Sequence, residues 1–337
     1  MTEVSRRATL RDVADGAGVS RSTASRALSG RGYVAEPVRE KVLSTARELG
    51  YVPDAMARTL KQQKSRSIGI LVTDLRNQFY ADLAAGASQQ AKASGYTTML
   101  VDDGFSDDDD ESIAEAFVAL RVGGVVVTPT TATVPDYLAR HRIPVVEVDR
   151  QFSSDRNDGV VVDNRAGARA ATAHLLGLGH RRIALFIDET DWTTGEGRHR
   201  GYRDAHAAAG VPVDDEMVIP VGWDVEDSRA RAVEMLHREE RPTAVFAANN
   251  VLAEGVWRAS AELGLRVPDD VSLVAFDDAP WMSMVTPGVT AVAQDSVELG
   301  AVAVRRLLHR LAEPDGPPET TVLDVALRVR GSTAPAA

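Results

Sequence analysis

The chain has 337 residues, of which 44% are hydrophobic and 26% are charged, and it has no cysteine. This length exceeds what one compact core needs, and the lack of cysteine excludes disulfides, thiolate metal sites and catalytic cysteines. The N-terminus has no apolar core of signal-peptide length, and no uncharged apolar run approaches the roughly 20 residues that cross a bilayer. We therefore expect a cytoplasmic protein that does not enter the membrane.

The net charge of −11 is unevenly distributed along the chain. Residues 1–66 carry 13 basic and 7 acidic side chains, a net charge of +6, and the remaining residues carry a net charge of −17. Phosphates are attracted by the first segment and repelled by the second. If nucleic acid is a ligand, the pattern predicts that it binds residues 1–66.

The first predicted elements are three short helices. Thr9 can cap the first helix, Gly18 suits a tight turn, and Ser20 can cap a second helix over residues 21–28. A third helix is predicted over residues 37–49. Two short helices joined by a tight turn are typical of a helix-turn-helix domain.

The outward face of the second predicted helix carries Arg21, Ser22, Ser25 and Arg26. These side chains can reach base edges or phosphates if the helix lies in the major groove of DNA. The alternative is a solvated surface without a ligand. The basic charge and the turn residues favour DNA.

A fourth helix is predicted over residues 55–62, capped by Asp54. A helix shorter than roughly 12 residues is marginal in water, so this segment should fold only when something packs against it. The alternative is a flexible linker. If the segment does fold, it connects the arrangement of the rest of the protein to the placement of the first three helices.

The N-terminal segment resembles the DNA-binding head of the LacI/GalR (lactose repressor) family. The resemblance is carried by TLRDVA at 9–14, AGVS at 17–20, TASRAL at 23–28 and GYVPDAMARTL at 50–60. It implies that bases are read by Arg21, Ser22 and Arg26. It implies further DNA contacts for Thr9, Ser20, Thr23, Ser25, Ala57 and Leu60. Leu60 matches the leucine that opens a central base step, and Asp54 departs from the more usual asparagine.

From residue 68 onward, apolar runs alternate with amphipathic stretches, which predicts parallel sheets covered on both faces. Strands are predicted at 68–72, 98–101, 125–127, 144–148, 159–162, 182–187, 244–248, 272–276 and 322–329. The clearest helical patterns are at 80–94, 166–178, 227–238, 251–263 and 299–311. This number of strands suits two sheets, each forming one lobe. A ligand would bind between them, at the carboxyl ends of the strands.

Polar residues follow three of the predicted strands: Asp149, Asn249 and Asp277. One such residue is more often a helix cap or turn former than a ligand contact. Three at equivalent positions favour a cleft for a polyol, because carboxylates and amides hydrogen-bond hydroxyl groups.

The resemblance to the LacI/GalR family extends over this part of the chain. It is carried by residues 148–150, 198–202, 248–250 and 276–278 and by Gln294. It implies an α/β two-lobed body like that of a periplasmic binding protein, with doubly wound parallel sheets. It also implies effector contacts from Asp149, Arg198, Asn249 and Asp277, and apolar walls from Phe79 and Trp223. Trp192 is a further aromatic candidate, and Asn250 departs from the commoner aspartate.

The sequence motifs of enzymes are missing. There is no phosphate-binding P-loop, no HExxH and no G-x-S-x-G, and the glycines at 195, 197 and 201 do not have dinucleotide-binding spacing. We therefore expect no catalysis, no cofactor and no metal. A stand-alone sugar-binding protein would lack the basic segment 1–66. A regulator that senses a nucleobase remains open.

The predicted organisation is an all-α helix-turn-helix domain at 1–53, a hinge helix and linker at 54–66, and an effector-binding and dimerisation domain at 67–337. The predicted function is transcriptional regulation, as a repressor, controlled by a small-molecule effector that is a sugar. The predicted partners are double-stranded, pseudo-palindromic operator DNA and a second copy of the chain, as a homodimer or a dimer of dimers.

Overall fold

The computed structural model describes residues 8–30, 32–52, 65–104, 109–188 and 190–336. It divides into two compact units, one within residues 1–64 and one within residues 65–337. The predicted hinge helix, with Asp54, Ala57 and Leu60, lies outside the described residues.

The N-terminal unit contains α1 (Leu10–Ala17), α2 (Arg21–Ser29) and α3 (Glu36–Glu48). Thr9 and Asp12 form a reciprocal cap on α1, in which the Asp12 N–H donates to Thr9 Oγ1 at 3.3 Å and the Thr9 N–H donates to Asp12 Oδ2 at 2.7 Å. Gly18 ends α1 with a φ of 68°. Small side chains fill the core, which lets the helices approach closely: Val13, Ala14, Ala17, Ala24, Ala27, Val34, Val42 and Ala46.

The C-terminal unit contains two six-stranded sheets. We call the part built on the first sheet lobe 1. Its strands, all parallel, are β1 (Ser67–Val72), β2 (Thr97–Asp102), β3 (Val125–Val127), β4 (Val145–Val148), β5 (Asp158–Val162) and β11 (Thr320–Leu323), in the order β11-β5-β4-β3-β1-β2. Its helices are α4 (Gln78–Ala93), α5 (Asp110–Ala119), α6 (Thr133–Arg140) and α12 (Ser296–Ala312).

Lobe 2 is built on the second sheet. Its strands are β6 (Ile183–Ile187), β7 (Val218–Pro220), β8 (Ala244–Ala247), β9 (Ser272–Phe276), β10 (Thr290–Ala293) and β12 (Ala326–Arg328), in the order β12-β10-β9-β8-β6-β7. All are parallel except β12, which pairs antiparallel with β10. Its helices are α7 (Asn164–Gly177), α8 (Thr193–Ala209), α9 (Val225–Leu236), α10 (Asn250–Glu262) and α11 (Trp281–Met284).

The predicted strand at 322–329 is two strands in different lobes, so that prediction was wrong. β11 pairs with β5 in lobe 1, and the chain then crosses at Asp324 and Val325 to place β12 beside β10 in lobe 2. β7 and β10 were not predicted from the sequence.

Among the described residues, no helix is long and apolar enough to cross a membrane. Within the same residues, no group of three or more His, Asp or Glu side chains could hold a metal ion.

Asp158, at the start of β5, is fully buried and joins β5 to α12. Its carboxylate accepts hydrogen bonds from Arg306 at 2.9 Å, from two nitrogens of Arg310 at 2.8 Å, and from the Glu319 N–H at 2.8 Å. Burial opposes the charge, but the bonds from Arg310 and Arg306 outweigh it and lower the pKa of Asp158 to about 2.

Asp158→Ala should lower the free energy of unfolding by about 3–5 kcal/mol, because it removes the buried carboxylate that Arg306 and Arg310 share. The pKa of Asp158 lies below its unfolded value of about 3.9, so its contribution is complete above that pH and is lost as the pH falls towards 2. Urea unfolding at pH 7 and pH 3 measures both effects. Asp155→Ala, at a carboxylate that is 80% exposed, is the control. An equal loss in the control would refute this explanation.

Candidate effector cleft and DNA-reading helix

The carboxyl ends of the parallel strands of both lobes face a cleft. Its lining residues come from both lobes: Asp74, Asn77, Phe79, Tyr80, Asp149, Arg150, Asp188, Thr194, Arg198, Trp223, Asn249, Val251, Asp277 and Gln294. The structure therefore brings together all six residues predicted to contact the effector, which are Phe79, Asp149, Arg198, Trp223, Asn249 and Asp277.

Asp149 and Asp277 occupy matching positions in the two lobes. Asp149 follows β4 with a φ of 73°, and Asp277 follows β9 with a φ of 67°. Residues other than glycine rarely adopt this left-handed backbone conformation. Among them, aspartate and asparagine tolerate it best. Both side chains are buried. Strained backbone at two equivalent strand ends is typical of a functional site.

Arg198, on α8, is positioned by contacts within lobe 2. Its Nε donates to Asn164 Oδ1 at 2.8 Å, and its Nη1 donates to the carbonyl oxygen of Ala248 at 2.6 Å. The guanidinium carbon lies 4.0 Å from the centre of the Phe276 ring. The cation is thus fixed by lobe 2 alone, before any ligand binds.

Three carboxylates in the cleft have raised pKa values. Burial raises the pKa of Asp149, Asp188 and Asp277, and the positive charge of Arg198 opposes the shift at each of them. A buried carboxylate has fewer hydrogen bonds from water than an exposed one. Donors on a ligand, such as hydroxyl groups, would stabilise its charged form.

The aromatic side of the cleft includes Trp223 and Phe79. Trp192 packs against Trp223 at a tilt of 32°, with 4.6 Å between ring centres, and the guanidinium carbon of Arg150 lies 4.1 Å from the centre of the Trp192 ring. Trp192 therefore contacts both Trp223 in lobe 2 and Arg150 in lobe 1. Trp223 lines the cleft, whereas Trp192 packs against Trp223 and is not among the lining residues.

Asn249 and Asn250 both make hydrogen bonds within the protein. Asn249 Oδ1 caps α10 by accepting from the Leu252 N–H at 2.8 Å, and its Nδ2 donates to Asp188 Oδ2 at 2.7 Å. Asn250 Nδ2 donates to Asn77 Oδ1 at 3.0 Å and so joins lobe 2 to lobe 1.

Sequence reasoning missed several residues of the cleft. Asp188 follows β6 in the same way that Asp149 follows β4, so the rule that found Asp149 could have found it. Arg150 Nη2 donates to Tyr80 Oη at 2.7 Å and to Thr73 Oγ1 at 3.2 Å. Burial raises the pKa of Tyr80 to about 12, so its hydroxyl stays neutral. No local pattern marks these long-range partners.

In the N-terminal unit, the outward face of α2 exposes Arg21, Ser22 and Arg26, while Thr23 and Ser25 are half-buried. Thr9 and Ser20 cap α1 and α2 with their side chains. Ala57 and Leu60 are outside the described residues.

A helix-turn-helix unit on the same chain as a two-lobed body with a polar cleft defines a DNA-binding protein regulated by a small molecule. Residues 9–54 match the model of bacterial regulatory proteins of the lacI family, and residues 172–333 match that of a periplasmic binding protein-like domain. The chain is 31% identical to the ribose operon repressor of Escherichia coli K12, over 96% of this chain and 99% of the repressor. It is 30% identical to the regulator DegA of Bacillus subtilis 168, over 97% and 98% of the two chains.

Three solved structures are similar over the full chain or the body. A lac repressor dimer bound to operator and the anti-inducer ONPF has 27% identity and a TM-score of 0.86, over 98% of this chain and all of that one. A complex of the regulator CelR with cellobiose has 30% identity and a TM-score of 0.73, over 97% and 100%. A LacI family regulator from Enterococcus faecium with bound ribose has 28% identity and a TM-score of 0.71, over 80% and 100%.

The chain therefore belongs to the LacI family. It is a DNA-binding transcriptional regulator controlled by an effector, and the predicted fold is confirmed. The prediction that it is not an enzyme is confirmed by its relatives, which are repressors and regulators.

Proposed function

We propose that this regulator represses transcription and that its effector is a sugar, bound in the cleft between the lobes. The observation that carries the proposal is the convergence of Asp149, Asp188 and Asp277 around Arg198, with Trp223 on the same cleft. Carboxylates accept hydrogen bonds from hydroxyl groups, and an aromatic face packs on the apolar face of a sugar ring. The relatives with bound cellobiose and ribose support the same class of ligand.

The DNA-binding and assembly parts of the proposal follow the predicted organisation, with domains at 1–53, 54–66 and 67–337. Arg21, Ser22 and Arg26 would read bases. The hinge residues Ala57 and Leu60 would contact the minor groove of a pseudo-palindromic operator. The lac repressor dimer on its operator supports a homodimer. We place the protein in the cytoplasm, where the operator is.

Effector control would act through the angle between the lobes. The cleft is lined by Phe79 and Asp149 from lobe 1 and by Arg198 and Asp277 from lobe 2. A single ligand in the cleft would therefore contact both lobes. A ligand that binds one lobe angle more tightly shifts the population towards it, and the coupling to DNA affinity is reciprocal.

A thermal-shift screen of the full-length protein tests the proposal. The panel contains ribose, cellobiose, other aldoses and disaccharides, and the bases adenine, guanine and hypoxanthine. The true effector should stabilise the protein by about 2.7 kcal/mol at 100 times its Kd, and it should change the affinity for DNA selected by the protein from random duplexes. A nucleobase is the second candidate, because two aromatic walls can stack a planar ring. Stabilisation by bases alone would replace the sugar proposal.

A further inference from the structure

The carboxylate of Asp188 is placed for ligand binding by a partner within the protein. Asp188 directly follows β6 and lines the cleft with Asp149 and Asp277. Asn249 donates to Asp188 Oδ2 at 2.7 Å, while the Asn249 carbonyl group is occupied by the cap of α10. Asn249 therefore orients Asp188, and Asp188 Oδ1 is the oxygen that we assign to the effector.

The charges of the cleft do not balance. Its described lining residues carry four carboxylates and two guanidinium groups, on Asp74, Asp149, Asp188, Asp277, Arg150 and Arg198. Asp74 is paired at 2.9 Å with Arg76. The other three carboxylates have two cations among them, which leaves a surplus of negative charge in a site where burial strengthens electrostatic interactions.

Both arginines already use part of their guanidinium groups for hydrogen bonds within the protein. A bidentate contact with phosphate or carboxylate uses two parallel N–H groups of one guanidinium. Arg150 Nη2 already donates to Thr73 and Tyr80. In Arg198, Nε donates to Asn164 and one of the two N–H groups of Nη1 donates to Ala248, so the fork formed by Nε and Nη2 is not free for an anion.

From the charge surplus and the partly occupied guanidinium groups, we infer that Asp188 makes this cleft selective for an uncharged, hydroxyl-rich effector and excludes phosphorylated and carboxylated sugars. A hydroxyl group donates to Asp188 Oδ1, whereas a phosphate brings further negative charge beside it. This inference rests on the proposed function, because it concerns the choice among sugars at the same site.

Isothermal titration of the full-length protein tests the inference with matched pairs: ribose and ribose 5-phosphate, glucose and glucose 6-phosphate, and cellobiose and cellobiose 6-phosphate. We expect binding of a neutral member, and at least about 100-fold weaker binding of its phosphate ester. Asp188→Asn keeps the size of the side chain but removes its charge. It should weaken binding of the neutral sugar about 10- to 100-fold and reduce the preference over the ester.

Asp269→Asn, at an exposed carboxylate of lobe 2, is the matched control and should change neither affinity. Asp188→Ser is the second variant, used if Asp188→Asn does not fold by circular dichroism. A phosphate ester that binds as tightly as the neutral sugar would overturn the inference and leave the sugar proposal standing. If Asp188→Asn bound the neutral sugar and its phosphate ester as tightly as the unaltered protein does, Asp188 would not determine the specificity. Failure of every sugar, neutral or phosphorylated, would count against the proposed function itself.

Discussion

Neutralising Asp277 and neutralising Asp278, which are neighbours in the chain, should have opposite effects. Asp277→Asn should weaken effector binding by about 10- to 100-fold and leave the free energy of unfolding unchanged or higher. Asp278→Asn should leave effector binding within about threefold and lower the free energy of unfolding by about 3 kcal/mol.

Asp277→Asn is expected to keep or raise the free energy of unfolding because Asp277 is buried in the cleft. Burial raises the pKa of this carboxyl, with Arg198 and the bond from Gln294 opposing the shift. A folded-state pKa above the unfolded value means that the ionised group destabilises the fold at neutral pH, so a neutral side chain removes that penalty. Asparagine also tolerates the φ of 67° at this position. The variant therefore keeps the backbone and loses the charge that accepts from the ligand.

Asp278→Asn is expected to lower the free energy of unfolding because Asp278 forms ion pairs that stabilise the fold. Arg330 donates to both of its oxygens, at 2.7 and 2.8 Å, and Arg328 donates at 2.9 Å. Burial opposes the charge, but the bonds from Arg330 outweigh it, so the pKa of Asp278 is lowered. These bonds join the end of β9 to the C-terminal strand β12 and the residues after it. An amide cannot replace the bidentate acceptor.

Urea unfolding without ligand and isothermal titration with the effector from the screen measure the two quantities separately. The two variants serve as controls for each other, since each removes one negative charge from adjacent positions. If Asp277→Asn lost stability while Asp278→Asn lost effector affinity, the assignment of cleft and scaffold roles would have to be exchanged.

The cleft was predictable where the sheet geometry alone decides position. Parallel strands bring their carboxyl ends to one edge of each sheet, so Asn249 and Asp277 could be placed together in one lobe and Asp149 at the matching edge of the other. Asp188 obeys the same rule, because it directly follows β6, and it could have been placed beside Asn249 and Asp277.

Features that depend on distant partners could not be predicted in this way. Arg150 reaches Tyr80 and Thr73, which are 70 and 77 residues away in the chain. The contacts of Trp192 with Trp223 and with Arg150 likewise join segments that are far apart in the chain. The division of 322–329 into β11 and β12 depends on which sheet accepts each strand, and a local pattern cannot specify that. In the N-terminal unit, by contrast, caps and turns are local, and the predicted Thr9 and Ser20 caps are present.

Replacing Arg26 with alanine should weaken binding to the selected operator about 5- to 150-fold, and Arg21→Ala should have a similar effect. Both side chains are exposed on α2, where an arginine can make two hydrogen bonds to a guanine edge. The fold should survive the change, because α2 is held in the core by Ala24 and Ala27 on its other face. Arg26 Nε donates at 3.3 Å to the Ser22 carbonyl oxygen of its own helix, a bond that is exposed and contributes little to stability.

Arg47→Ala is the matched control, because it removes the same charge from an exposed position of α3 in the same unit. Fluorescence anisotropy with the selected operator and with a scrambled duplex, at two salt concentrations, separates base reading from general attraction to phosphates. Arg26→Ala should lower the ratio of the affinity for the selected operator to the affinity for the scrambled duplex. Arg47→Ala should leave this ratio unchanged, whether or not it lowers the two affinities. If both variants left the ratio unchanged, base reading would have to be assigned away from Arg26, and its charge would act on phosphates alone.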